Sequence, residues 1–240
     1  MQHSVSKERF AVIFVKDKKI LDEVKYLRGR VFFNKAEKDE DEFDEFSDHL
    51  AVVDKEKNEI IGTYRLLLGS TARKHLGFYS ETEFDLTNVK INCKGELLEM
   101  SRACVLSTYR KYPIINLLCN EILAYFERHK IRYVFGCPSI ECPTPRVIGE
   151  LFAFFKQKCF APLQFRVEPL KNKLYHFDKN IEIYQYKEIL HLLPSLIRGY
   201  LKMGAFVCGE PAYDKKFGTV DFFMMLDIAN INAGYRKRFL

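Results

Sequence analysis

Three short runs hold polar residues whose types and order could do chemistry. Leu98-Glu99-Met100-Ser101-Arg102 sets a carboxylate, a hydroxyl and a guanidinium in a stretch otherwise fit for a buried strand. Arg28-Gly29-Arg30 closes a helical pattern, and Phe43-Asp44-Glu45-Phe46-Ser47-Asp48-His49 runs straight into a second strand pattern. Alternate side chains of an extended chain share a face, so Glu99 goes with Ser101 and Met100 with Arg102. A carboxylate in a core strand is costly unless it is paired or functional. Arg65, in the preceding strand pattern, is the obvious partner, and residue types alone favour a structural Glu99–Arg65 ion pair. No Ser-His-Asp order, nucleophile elbow, Walker loop or dinucleotide glycine motif occurs. Of the six dispersed histidines, His49 beside Asp48 is the one to watch. Cys137 and Cys142 come nearest to a metal spacing, but no matching pair follows. No metal site is therefore expected, and the seven cysteines read as thiols of a reducing cytosol.

These runs need elements to hold them. Ile20, Leu21, Val24, Leu27 and Val31 have helical spacing, which predicts a helix over 20–33. The acidic stretch after it reads as a loop or short helix. Strands at 50–54 and 60–68 flank a polar turn, so a hairpin is expected. Residues 69–96 read mainly as loop, and 97–106 as a further strand. Ile114, Leu117, Leu118, Ile122 and Tyr125 form one stripe of a helix over 114–129, with Pro113 as its starter. A buried strand at 133–140, helices at 146–160 and 195–203, and strands near 205–209 and 219–227 complete the pattern. The expected fold class is α/β, a mixed central sheet flanked by helices, in one domain spanning 1–240.

Composition bounds what that fold can be for. With 240 residues, 48% hydrophobic and 29% charged, the chain can bury a substantial core and is not a disordered one. No apolar run approaches the roughly 18 residues that span a bilayer. Nothing after the first residues reads as a secretory leader, so a cytoplasmic location is expected. The net charge of +6 conceals an asymmetry: residues 37–48 hold eight acids against Lys38, so the remainder carries +13. Such a surface suits an anionic partner, whether nucleic acid, anionic lipid or an acidic protein, or else simply solvates the protein.

The same runs, in order, resemble the ornithine N-acyltransferase family. Leu27 to Phe32, Phe43 to Asp54, and Ile61-Gly-Thr-Tyr-Arg65-Leu-Leu67 look like that family's N-terminal half. So do Phe78-Tyr-Ser-Glu81-Thr-Glu83-Phe-Asp85-Leu86 and Leu98-Glu99-x-Ser101-Arg102-x-Cys104-Val105 followed by Tyr109-Arg110. Gly199 to Asp214, with Phe217-Gly-Thr-Val-Asp221, is similar to its C-terminal signature. Each piece is weak alone; their order and spacing from about residue 27 to 227 are specific.

The resemblance implies a GNAT-type fold and an acyltransferase. Its donor would be the acyl-phosphopantetheine thioester of acyl carrier protein, with no other cofactor, and its acceptor the α-amine of ornithine. The product would be N-acylornithine, the lyso-ornithine lipid. Glu99 would accept the proton of the attacking amine, and backbone N–H groups after Arg102 would hold the oxyanion. Arg102 and Arg65 would orient Glu99 or hold the acceptor carboxylate, with Ser101 beside them. Asp44 and Asp48 would take the cationic side chain, and Arg28, Arg30, Arg110 and Lys111 the phosphopantetheine or its acidic carrier. For these last four, ordinary surface charge is the even alternative. The usual GNAT phosphate loop carries glycines where this chain has Arg110-Lys-Tyr-Pro113-Ile, which favours a carrier protein over acyl-CoA. Peripheral contact with an anionic inner membrane is expected, and a nucleic-acid partner is not. The rival readings are another acceptor (glycine, lysine, or homoserine lactone formation) and a non-catalytic, hemolysin-like membrane protein.

Overall fold

Asp17 starts the first helix, its side chain accepting from the Lys19 and Ile20 amides that a helix start otherwise leaves unmet. From there α1 (Lys18–Phe32) turns Val24 and Leu27 inward against Ala51, Ile60 and Cys104. This computed structural model describes residues 9–141, 143–182 and 186–231; Cys142 and the Arg236-Lys-Arg238 tail lie outside them. The chain divides into two compact units, residues 1–77 with 98–130, and residues 78–97 with 131–240.

The first unit is built on β1 (Phe10–Phe14), β2 (Asp48–Asp54) and β3 (Glu59–Leu68). After a short strand of the second unit, β4 (Phe84–Asp85), comes β5 (Glu96–Val105). Neighbours in the order β1-β2-β3-β5 pair antiparallel, and β2–β3 is the expected hairpin. Between Arg65↔Ser101 and Thr63↔Cys104 the register slips, so Arg102 and Ala103 together face the single residue Tyr64. That extra residue is a β-bulge, and Arg102 sits in it at φ +55°, a conformation costly for a side chain with a Cβ. The single-turn helix α2 (Gly69–Ala72) follows β3. Beyond α3 (Thr87–Asn92) of the second unit, the helix expected at 114–129 forms as α4 (Ile114–His129).

The second unit holds β6 (Ile131–Gly136), β7 (Ser139–Glu141), α5 (Pro145–Lys158) and β8 (Glu168–Pro169). Then come α6 (Tyr186–Leu192), α7 (Ser195–Met203), β9 (Phe206–Val207), β10 (Ala212–Asp214), β11 (Thr219–Asp221) and β12 (Met224–Asp227). Thr144 caps α5 through its hydroxyl and Pro145 occupies the first turn, so Phe152 and Phe155 are aimed into a core with Ile197, Val207, Phe222 and Met224. Antiparallel ladders join β6 to β12, β12 to β9, and β10 to β11 to β7, while parallel bridges link Phe160 to Val207 and Val167 to Gly209. The α/β class with mixed strand directions is therefore what folds.

Several elements differ from expectation. The strand expected at 133–140 is two strands of different sheets, because Pro138 has no N–H for a ladder. The strand at 219–227 divides likewise at Phe222 and Phe223. Residues 69–96 hold α2, β4 and α3 rather than loop alone, and neither β1 nor α6 was expected. A five-residue apolar run such as Phe10–Phe14 carries no periodicity that separates strand from helix.

Candidate active site

The helix α1 ends in Arg28-Gly29-Arg30, and Gly29 explains how the acidic run reaches it. A Cβ at Gly29 would stand 1.7 Å from the Glu37 carbonyl oxygen, so only glycine lets the loop fold back this closely. The Asp39 amide then bonds the Lys25 carbonyl at 3.0 Å, which seats Asp39 against Arg28. Arg28 is wholly buried; its Nε donates to Asp39 Oδ2 at 2.9 Å, and its two terminal nitrogens donate to the two Asp44 oxygens at 2.7 and 3.0 Å. Asp41 caps the 3-10 turn Glu42–Phe46 that carries Asp44.

Arg65 on β3 completes the network. It donates to Asp44 at 2.9 Å, to Asp41, and through Nε to the Ser101 hydroxyl at 2.9 Å. The bulge corrects one expectation from strand alternation. Arg102 does not leave on the face opposite Ser101 but joins the same cluster, with Nη2 2.8 Å from Asp41 and Nε 3.0 Å from Asp39. Burial alone would raise the Asp44 carboxyl, yet Arg28 and then Arg65 hold it well below the usual carboxylate range. His49, buried opposite Arg65, donates from Nε2 to the Asp44 carbonyl at 3.0 Å; burial keeps its ring below the ordinary histidine pKa. Glu99 lies two residues before Ser101 on β5, opposite Leu67 and 1% exposed. A carboxylate at such a depth, on the strand of the bulge, can hold or take a proton near a reacting carbonyl. At the bulge one residue falls outside the regular pairing of the ladder.

Thus Arg28, Asp44, Arg65, Ser101 and Arg102 meet in one place, with Asp39 and Asp41 added. Neither aspartate was singled out from the sequence, where both are lost in a run of eight acids; the only signal was their distance beyond Arg28-Gly-Arg30. Asp44 already accepts three guanidinium bonds and the Asp41 amide, so it belongs to this scaffold. Asp48 stands apart, exposed at the start of β2, accepting from the Tyr125 hydroxyl at 2.6 Å.

Arg30 and Lys111 meet elsewhere in the same unit. A cleft of about 440 Å³ is lined by Arg9, Arg30, Lys57 and Lys111, with Glu59 and the 106–109 turn. Arg30 reaches Glu59 at 3.3 Å, and Arg9 holds buried Asp54 at 2.6 Å. Arg110 does not line this cleft; its Nε turns back to the Val105 carbonyl at 3.3 Å.

In the second unit, Glu83, Asp214 and Asp221 each offer a carboxylate oxygen within 4.8 Å of the others, and all three are buried. This group, formed from segments of the resemblance, had no role assigned from the sequence.

The matched arginine–aspartate cluster, the bulge in β5 and buried Glu99 on the same strand all lie in the first unit; comparison with known proteins gives the family. The profile of the acetyltransferase (GNAT) domain matches residues 26–120. The L-ornithine N(alpha)-acyltransferase of Brucella abortus is 34% identical over 227 residues, 87% of this chain and 81% of that protein. The one of Agrobacterium fabrum is 30% identical over 208 residues, 84% and 71%. Among solved structures, FeeM, an N-acyl amino acid synthase from uncultured soil microbes, shares the fold with a TM-score of 0.56 at 10% identity, covering 92% of each chain. The acyl-homoserine lactone synthase BjaI follows with 0.54 at 11%, covering 96% of this chain and 87% of its own. The chain belongs to the L-ornithine N(alpha)-acyltransferase family.

Proposed function

We propose that this protein transfers a 3-hydroxyacyl group from the phosphopantetheine thioester of acyl carrier protein to the α-amine of L-ornithine, giving N-acylornithine. The observation that carries the reading is buried Glu99 on the bulged strand β5, beside the Arg65–Ser101 bond. An α-amine is largely protonated at neutral pH, and only its neutral form attacks. Glu99, directly or through water, takes that proton. The amine nitrogen bonds to the thioester carbon, N–H groups at the bulge hold the oxyanion, and the carbon–sulfur bond breaks. The nitrogen gives up its second proton as that bond breaks, the departing thiolate takes it, and no covalent enzyme intermediate forms. The arginine–aspartate cluster fixes Ser101 and the bulge, and Asp48, exposed and anionic, reads the δ-ammonium.

Support for a carrier-bound donor comes from the first unit's basic cleft. Tyr112 and Pro113 stand where phosphate-loop glycines would let backbone approach a pyrophosphate, while Arg9, Arg30, Lys57 and Lys111 offer side-chain charge instead. An anionic prosthetic phosphate on an acidic protein suits such a cleft. No helix among the described residues is long and apolar enough to cross a membrane, and the +13 carried outside residues 37–48 suits loose contact with an anionic bilayer.

Single-turnover assays of Glu99→Gln with acyl carrier protein and ornithine test the reaction. Turnover is expected to fall by about 10²–10⁴ with the fold intact; retention of more than about a tenth, a loss under ~1.4 kcal/mol, removes Glu99 as the base. The donor is tested by kcat/KM for acyl carrier protein against acyl-CoA of the same chain. The carrier should be strongly preferred, and equal values overturn the argument from the cleft. Lys111→Glu should raise the carrier KM several-fold and flatten its salt dependence, with Arg110→Glu weaker because Arg110 does not line the cleft.

A further inference from the structure

We propose that Glu83, Asp214 and Asp221 form a binding site for a hard divalent cation, of the calcium, magnesium or manganese kind, inside the second unit. The inference stands apart from the acyl-transfer reaction and uses none of its residues.

The first ground is geometry. One carboxylate oxygen from each residue lies within 4.8 Å of the other two. Two oxygens bound to one ion at about 2.0–2.6 Å lie at most about 4.0–5.2 Å apart, so the spacing allows all three to share one ion. The second ground is the state of Glu83. Its side chain is inaccessible to solvent, and neither of its oxygens makes a hydrogen bond of normal geometry. Buried carboxylates are almost always bonded. Here one without a regular hydrogen bond among the described residues faces two further acids, where a cation would supply the missing interaction.

The two aspartates are prepared for the same task. Antiparallel pairing of β10 with β11 sets Ala212 opposite Asp221 and Asp214 opposite Thr219, which holds both acids on a short ladder. One oxygen of each is already tied. Asp214 Oδ1 accepts from the Lys216 amide at 2.8 Å, and Asp221 Oδ1 from the Thr219 hydroxyl at 2.8 Å. Asp214 Oδ2 accepts from the Tyr79 hydroxyl at the long distance of 3.5 Å. Such bonds orient the carboxylates, as they commonly do for ligating groups. The set contains oxygen only, with no histidine nitrogen or cysteine sulfur, which selects a hard ion over zinc or copper.

Electrostatics agrees in direction. Burial first, then Asp221 and Asp214, push the Glu83 carboxyl up to about 9, against the opposing pull of Lys173 and the Tyr79 hydroxyl. A divalent ion competes with protons for such a carboxylate, so binding tightens as pH rises.

The test uses the full chain, stripped with a chelator and dialysed. Calorimetric titrations with CaCl2, MgCl2 and MnCl2 at pH 6.5 and 8.5 are run beside thermal unfolding. At least one ion should bind saturably at one site, more tightly at pH 8.5, with a heat that depends on the buffer's protonation enthalpy. Tm should rise with the logarithm of ion concentration. Glu83→Gln and Asp221→Asn should each weaken binding at least tenfold. Glu83→Gln removes a crowded acid, so it should fold at least as well as the metal-free wild type and decides the matter if Asp221→Asn does not fold. Absence of saturable binding to the wild type, or unchanged binding in Glu83→Gln, overturns the proposal. So does a Glu83-dependent rise in Tm with L-ornithine but with none of the three ions, which would assign the group to an organic ammonium.

Discussion

Each unit of this protein buries a group of carboxylates, and the two groups are compensated in opposite ways. In the first, Asp39, Asp41 and Asp44 meet Arg28, Arg65 and Arg102, three charges of each sign joined by hydrogen bonds. In the second, Glu83, Asp214 and Asp221 meet one another. The consequence is visible in protonation: the arginines hold Asp44 charged far below the usual range, whereas burial and its neighbours hold Glu83 protonated up to about 9. Depth alone therefore does not tell what a buried acid is for. A matched cluster spends its charge internally and acts as a scaffold, while an unmatched one keeps a demand for a proton or a cation.

The largest expected effect comes from unmatching the matched cluster. Arg28→Met should cost about 3–5 kcal/mol, because Asp39 and Asp44 lose a buried guanidinium. Urea unfolding measures it, and a loss below about 1 kcal/mol would mean that Arg65 and Arg102 suffice to hold the three acids.

Next is the pH dependence of the unmatched cluster. The folded pKa of Glu83 lies near 9, above its unfolded value of 4.5, so its contribution favours the folded state most below about pH 4.5 and is lost as pH rises through 9. Within that window, metal-free protein should lose stability by up to about 1.4 kcal/mol per pH unit from this group. Glu83→Gln should flatten the profile between pH 6 and 8.5. An identical slope in the variant would show that Glu83 is already ionised in the folded state.

The smallest effect concerns an acid outside both clusters. Asp48→Asn keeps an acceptor for the Tyr125 hydroxyl and removes a charge, so the fold should stand. KM for ornithine should rise several-fold, and KM for a neutral amino acid should hardly change. A uniform rise would make Asp48 a structural residue at the strand entrance instead.

Much of this was legible in the residues. The helices at 18–32 and 114–129 and the hairpin of β2 and β3 follow directly from periodicity and turn chemistry. The order of the Arg28, Asp44, Arg65, Ser101 and Arg102 segments announced a site, and the structure brings those five together. What could not be read was anything set by a break in regularity. Strand alternation sends Arg102 away from Ser101, and only the bulge returns it. Arg30 and Lys111, far apart in sequence, line one cleft through the packing of the first unit. Asp39 and Asp41 gain their roles from a loop that doubles back over Gly29. The triad of the second unit joins residues 138 positions apart, a separation at which no local pattern gives a signal.

The way the chain is shared between the two units also sets a schedule for making the protein. Segment 78–97 belongs to the second unit, yet it emerges from the ribosome before the first unit is complete. Its partners come late: Phe78 packs on Phe135, Phe84 on Phe223, and the Asn88 side chain bonds the Arg166 carbonyl. At about 5–20 residues per second, Phe84 waits on the order of ten seconds for Phe223 to be synthesised. Through that interval Phe78, Phe84, Leu86 and Val89, all buried in the finished protein, belong to an unfinished body tethered to a first unit that can already close. Nascent chains arrested after segment 98–130 has cleared the ribosome, but before Phe223 is made, should therefore be the stage at which this protein is most exposed to proteolysis and most dependent on chaperones.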